Sequence, residues 1–262
     1  RASTGTQNGA VEVTADGALT LIASYDENKP GGASNGVAGE TYAQIGHGGM
    51  YGGGLKSGDI EVNAKTGILL RNGEASYGFT RIGHGGYDPG AGNNPATVIV
   101  DADIRVATES GGIVLDAYQT QAYDWNLVQI GHGGIHKGTS RIGAYLGDIT
   151  VDAGTGGVSV FAGRGRSSSA QIGHGGTGIS GNHGGAIHVS GDGDLFMRTQ
   201  AGGSNATNDY RRYARIGHGG ASDDPTTPAA GGETATTAAP EETGSAEETE
   251  AAGGDFDPSG MT

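Results

Sequence analysis

Short runs of alternating apolar and polar residues return along this chain at a nearly constant interval. Val11-Glu12-Val13-Thr14-Ala15 is followed by Ile60-Glu61-Val62-Asn63-Ala64, Ile104-Arg105-Val106-Ala107, Ile149-Thr150-Val151-Asp152-Ala153 and Ile187-His188-Val189-Ser190. A period of two predicts a β-strand with one buried face. Each run is followed, after a Gly-rich turn, by a second: Leu19-Thr20-Leu21, Ile68-Leu69-Leu70, Ile113-Val114-Leu115, Val158-Ser159-Val160 and Leu195-Phe196-Met197. A third run pairs a small or β-branched residue and Ile around a Gln or Arg: Ala43-Gln44-Ile45, Thr80-Arg81-Ile82, Val128-Gln129-Ile130, Ala170-Gln171-Ile172 and Ala214-Arg215-Ile216. The alternation predicts Ile inward and Gln or Arg in water.

Every third run ends in the same pentapeptide, Ile-Gly-His-Gly-Gly. Its histidines, His47, His84, His132, His174 and His218, are 37, 48, 42 and 44 residues apart. A catalytic motif is needed once per active site. A motif that recurs at a near-fixed interval marks a stacked repeat, in which each copy does the same job in successive turns. Three strands and three Gly-rich corners per repeat predict a triangular coil, with Gly-His-Gly-Gly as one corner and equivalent residues stacked about 4.8 Å apart. Three inward ladders follow: Val11, Ile60, Ile104, Ile149 and Ile187; Leu21, Leu70, Leu115, Val160 and Met197; and Ile45, Ile82, Ile130, Ile172 and Ile216. One coil per repeat is the preferred reading, although about 40 residues also admit two shorter coils. Variable segments such as 24–41 and 200–213 are expected as outward loops.

Composition narrows the picture. Of 262 residues, 55 are Gly without a Gly-X-Y period, which excludes collagen. With 6% aromatic and 17% charged residues, the chain suits thin, close-packed β-coils better than a broad globular core. It has no Cys, so disulfides and thiolate metal sites are excluded. No apolar run approaches the roughly 20 residues of a membrane-spanning helix, and no membrane insertion is expected. The sequence begins at Arg1 with no signal-peptide pattern, which suggests a processed chain or a piece of a longer one. Residues 221–262 carry ten acidic residues and no Lys or Arg; residues 1–220 are left with 15 basic against 19 acidic, about −4. The repeats lack a basic stripe, so nucleic acid is not an expected partner. Domain organisation is therefore a solenoid over 1–220 and an acidic Ala/Thr/Glu/Gly-rich tail or linker over 221–262. The tail buries too little to order without a neighbour.

Gly58-Asp59-Ile60-Glu61-Val62-Asn63-Ala64 and Gly147-Asp148-Ile149-Thr150-Val151-Asp152-Ala153 resemble the Gly-Asp-Ile/Leu-x-Val/Leu-x-Ala repeats of filamentous-haemagglutinin-like bacterial surface proteins. Tyr42-Ala43-Gln44-Ile45-Gly46-His47-Gly48-Gly49 is similar to repeats of very large members of that group. The resemblance covers about residues 10–220. It implies an all-β, right-handed parallel β-helix and an extracellular or cell-surface protein. It carries little information about activity.

Three roles compete for the histidines. In the structural one, the imidazole fills or caps a corner, bonds a backbone carbonyl, and can bond its neighbours along the stack. Protonation would then set like charges side by side, so stability is expected to fall on acidification. In the second, the row binds metal, but parallel coils do not converge on a tetrahedral centre and no acidic residue recurs beside the His. In the third, Gly-His-Gly is the motif of polygalacturonases, which are also β-helices. Those enzymes carry one copy with an Asn-Thr-Asp strand and an Arg-Ile-Lys segment, both absent here. The sole Asp-Asp is Asp223-Asp224, and Asp101 and Asp103 share a face as alternation often allows. The structural role is preferred; no catalytic residue, metal ligand or cofactor is assigned. Tyr123, Trp125, Tyr210 and Tyr213 are candidate loop contacts for a glycan or protein. The expected function is a non-catalytic rod of an adhesin or a self-stacking filament. A glycan-binding adhesin module is the alternative, with a polysaccharide-degrading enzyme behind it. Expected partners are a second copy of the chain, other parts of a larger surface protein, or a glycan on a host or neighbouring cell.

Overall fold

The computed structural model describes residues 6–23, 41–49, 54–72, 78–87, 98–117, 125–135, 141–165, 167–200 and 212–220. These residues form 23 strands and no helix. All named strand pairs are parallel, and each joins one repeat to the next. The result is a parallel β-helix of five coils, one coil per repeat.

Four five-stranded sheets and one three-stranded sheet run along the stack. In coil order, the first holds Gln7–Asn8, Leu55–Ser57, Val98–Asp101, Arg141–Leu146 and Ile179–Gly184. The second holds Val11–Ala15, Ile60–Ala64, Ile104–Thr108, Ile149–Asp152 and Ile187–Ser190, and the third Ala18–Ala23, Gly67–Asn72, Ile113–Asp116, Val158–Ala162 and Leu195–Thr199. The fourth is Tyr42–Ile45, Phe79–Ile82, Leu127–Ile130, Ser169–Ile172 and Ala214–Ile216; the fifth is Gly85–Tyr87, Gly133–Ile135 and Gly175–Thr177.

The three expected strands per repeat are the second, third and fourth sheets. Their pairing places Val11, Ile60, Ile104, Ile149 and Ile187 in one row. The coil is nevertheless not the expected triangle. A first-sheet strand precedes each of the corners Gly9-Ala10, Gly58-Asp59, Ala102-Asp103, Gly147-Asp148 and Gly185-Ala186, and the last two residues of the pentapeptide begin a strand in the middle coils instead of completing a corner. The main core lies between the second, third and fourth sheets, where Ile60, Leu70, Ile104, Leu115, Ile130, Val151 and Ile172 are buried. Each such side chain contributes roughly 1.5–3 kcal/mol. That sum is realised only in a stack, because each coil covers the apolar atoms of the next.

The fourth sheet is buried on both faces, which overturns the expectation that its Gln and Arg side chains meet water. Arg81, Gln129 and Gln171 are fully buried, and Gln44 and Arg215 in the end coils are half-buried. Their face carries Phe79 and Leu127, which join Trp125 and Ile135 in a second apolar cluster. Val100, Tyr145 and Ile179 form a third cluster beside the first sheet. Trp125 is thus a core residue, not a loop contact, and is 5% exposed. Tyr213 is half-buried: its hydroxyl donates to Gln171 Oε1 at 3.3 Å, and the Arg215 guanidinium lies 4.7 Å from its ring centroid. Tyr123, Tyr210, the tail 221–262 and most of the expected loops lie outside the described residues.

Candidate functional site: the glycine–histidine column

The pentapeptides of all five coils lie directly above one another. Successive imidazoles are parallel, with centroids 4.9, 4.9, 4.8 and 4.9 Å apart from His47 to His218. The rings do not bond one another, as the repeat pattern allowed. Each uses its two nitrogens on backbone groups in different directions. The N–H of His47 donates to His84 Nδ1 at 2.8 Å, that of His84 to His132 Nδ1 at 2.9 Å, that of His132 to His174 Nδ1 at 3.0 Å, and that of His174 to His218 Nδ1 at 3.2 Å. Nε2 points across the coil to the corner between the first and second sheets, meeting the carbonyls of Gly9, Gly58, Ala102, Gly147 and Gly185 at 2.8–2.9 Å.

Those partners fix the tautomer. A backbone N–H can only donate, so Nδ1 keeps its lone pair; a carbonyl can only accept, so Nε2 carries the proton. Nε2 closes its own coil and Nδ1 ties it to the preceding one. Burial keeps the inner rings neutral. It lowers the pKa of His84 to about 4, against the opposing pull of the Gly58 carbonyl. His174 is lowered to about 4 by the same cause, and His132 falls well below the ordinary range through burial and then its neighbours His174 and His84.

The glycines are required by the closeness of the coils. At Gly133, φ is +134°, and an added Cβ would meet the Gly175 carbonyl closer than real Cβ atoms approach anything. Gly131 stands in the same relation to Gly173. Only a residue without a Cβ lets the turns stack at sheet spacing here.

The buried Gln or Arg completes the column. Gln171 Nε2 donates to the carbonyls of His174, Gly217 and Gly219 at 3.1, 2.9 and 2.8 Å. Gln44 and Gln129 repeat this pattern into the next coil, and Arg81 Nη1 reaches the carbonyls of His84 and Gly133. One amide therefore bonds its own corner and the corner of the following coil. Gln171→Leu, a similar volume without the amide, is expected to cost about 2–4 kcal/mol through unpaired buried carbonyls. A water-facing Gln would cost within about 0.5 kcal/mol. A urea-unfolding midpoint that does not move would return the side chain to the surface.

A second staple runs along the first corner. The N–H of Asp103 donates to Asp59 Oδ1 at 3.0 Å, that of Asp148 to Asp103 Oδ1 at 2.8 Å, and that of Ala186 to Asp148 Oδ1 at 2.7 Å. Sequence reasoning missed this use of Asp59, Asp103 and Asp148, though their recurrence at one position of the middle three repeats was the available signal. Asp103 lies in the corner between Val98–Asp101 and Ile104–Thr108, so it does not share a strand face with Asp101 as expected; it is tied to the backbone of its neighbours, and Asp223-Asp224 lies outside the described residues.

Chemically, the column holds coils together. The Nδ1 lone pair that a metal or a proton-transfer step would need already accepts an N–H in His84, His132, His174 and His218. Among the described residues, no three His, Asp or Glu side chains converge as a metal site. Compared with protein-family models, curated proteins and solved structures, the chain matches none.

Proposed function

We propose that this protein is a non-catalytic structural β-solenoid of the bacterial cell exterior, either a subunit that stacks end to end into a surface filament or a rod segment of a larger adhesin. The observation that carries this reading is the investment of the repeated motif. In the inner coils its His, Gly and Gln or Arg residues are engaged in bonds to the neighbouring coils. The exterior location rests on the resemblance of the Gly-Asp-Ile repeats to filamentous-haemagglutinin-like proteins.

Both forms of the reading need coils that continue beyond the fifth. Among the described residues, the end coils carry half-buried apolar residues with a neighbouring coil on one side only: Val11, Val13, Leu19 and Ile45 at the start, Ile187, Val189 and Ile216 at the finish. Electron microscopy of the purified chain at neutral pH distinguishes the two forms. A filament has a subunit rise near roughly 24 Å, five coils at about 4.8 Å. Short monodisperse rods would leave only the rod-segment form and turn attention to glycan or protein ligands. Release of reducing sugar from acidic glycans would overturn the non-catalytic reading altogether.

A further inference from the structure

The two ends of the stack carry complementary halves of the joint that recurs inside it. Every internal joint has a fixed polarity. The earlier coil gives its His N–H to the Nδ1 of the later coil, and its Gln or Arg to a Gly carbonyl of the later coil. The later coil gives backbone N–H groups to the Ile and His carbonyls of the earlier one, as Gly217 does to Ile172 and Gly219 to His174. Among the described residues, the fifth coil has no coil beyond it to receive its donors. Arg215 Nη1 bonds only the carbonyl of His218 in its own turn, at 3.2 Å. Among the described residues the first coil has no coil before it, so the other half falls to its His47 Nδ1 and Gly46 and Gly48 carbonyls, the equivalents of the groups that accept in the second coil.

We infer that the end face of the fifth coil is a docking surface for the first coil of a second copy, joined in register so that the glycine–histidine column runs unbroken from one subunit into the next. This rests on the filament reading and specifies its interface. The His218 N–H donates to His47 Nδ1 of the second copy, and Arg215 to its Gly48 carbonyl. The Ile216 and His218 carbonyls take the N–H groups of Gly46 and Gly48.

Apolar surface at the two ends agrees with that register. Leu195, Phe196 and Met197 are 54%, 48% and 48% exposed in the last strand of the third sheet. Carried one coil further, the pairing sets Leu195 and Met197 against Leu19 and Leu21, the residues that begin the same inward rows. A separate row agrees as well. His183 Nε2 is buried without a partner at the last position of the row that Gln7 heads, so the second copy would bring the Gln7 amide over it.

The Asp staple does not cross this junction, because Ala186 and Ala10 occupy its two positions. That is no obstacle. The joint between the first and second coils also pairs Ala10 with the staple's first Asp and forms without an Asp before it, through Gln44, His47 and the sheets. A subunit junction of that kind lacks one staple of the inner joints, so filaments should part at subunit boundaries before the coils unravel.

The test is a cross-link that reads register. Thr14 and Ser190 occupy the same row of the second sheet, at its first and last coils, and the chain has no native Cys. In the proposed junction their Cα atoms are about 4.8 Å apart, within disulfide range. Glu12 and Ser190 are two residues out of register, roughly 8 Å apart and beyond it. Thr14→Cys with Ser190→Cys should yield a ladder of disulfide-linked oligomers on oxidation, and Glu12→Cys with Ser190→Cys should yield none. Sedimentation and microscopy of the same samples report assembly independently. Filaments without the in-register cross-link would overturn this interface and leave the filament reading standing. Monomers at every concentration would overturn both.

Discussion

Acidification from pH 7 to pH 5 is expected to remove several kcal/mol of folding stability through the buried histidines. Burial lowers His84 and His174 to about 4 in the fold and holds His132 well below the ordinary range, and each Nδ1 is occupied by an N–H donor. In the unfolded chain each titrates near 6.5. Between those values the unfolded state binds more protons, so stability rises with pH across the window and is lost as pH falls through it. Each step of one in pH inside that window removes about 1.36 kcal/mol per ring, so each inner ring accounts for on the order of 1–2 kcal/mol at pH 5. Three rings then reach about 3–6 kcal/mol, a large share of the 5–15 kcal/mol typical of a folded domain. His183, also lowered to about 4 by burial, acts in the same direction. On the alkaline side Lys56, lowered to about 8 by burial and then by Arg81, adds a gentler rise between pH 8 and 10.5 by the same linkage. Urea-unfolding midpoints measured from pH 4.5 to 7.5 check this. A flat profile through the histidine window would mean that the rings are hydrated and the column is not formed.

The architecture was legible because its signal is repeated. Alternation in Ile60-Glu61-Val62 and its four counterparts names the inward rows, and the interval between pentapeptides sets one coil per repeat. What lay on the far side of each strand was not legible. A period of two says that the faces differ, not that one is wet. Gln129 sits opposite Ile130 in alternation, yet its amide meets buried carbonyls, and its strand neighbour Leu127 was the clue to a second apolar layer. The first sheet was missed because its inward row holds Lys56, Val100, Tyr145 and His183, four unlike side chains that share no sequence pattern. Trp125 shows the same limit from the other side, since an aromatic beside a variable segment can lie as deep as a core Ile.

The column also explains why the pentapeptide is invariant from coil to coil while its surroundings vary. The outward row of Glu12, Glu61, Arg105, Thr150 and His188 is exposed apart from half-buried Thr150 and holds unlike hydrophilic residues. Each position in the column instead contacts the equivalent position one coil away, so a change in one copy must fit two neighbours. Glycine above glycine and histidine above histidine satisfy that condition by translation alone.

Gly133→Ala should therefore be among the most damaging single substitutions in the chain. It adds one methyl group in the central coil, where φ is +134° and the Cβ would overlap the Gly175 carbonyl. Backbone strain in such a region costs on the order of 1–3 kcal/mol. Relieving the overlap must also push apart two coils held by the His132–His174 bond, the Gln129 amide and the sheets on both sides. A loss of about 4 kcal/mol or more is expected, a large share of the roughly 5–15 kcal/mol that holds an ordinary domain folded. Gly17→Ala is the matching control, since its Cβ would meet nothing within 4 Å; a change within about 0.5 kcal/mol is expected there. Thermal and urea unfolding of the pair, read by circular dichroism, compares the two directly. Equal stability of both variants would show that the coils have room between them, and the close stacking that gives the repeated glycines their purpose would be wrong.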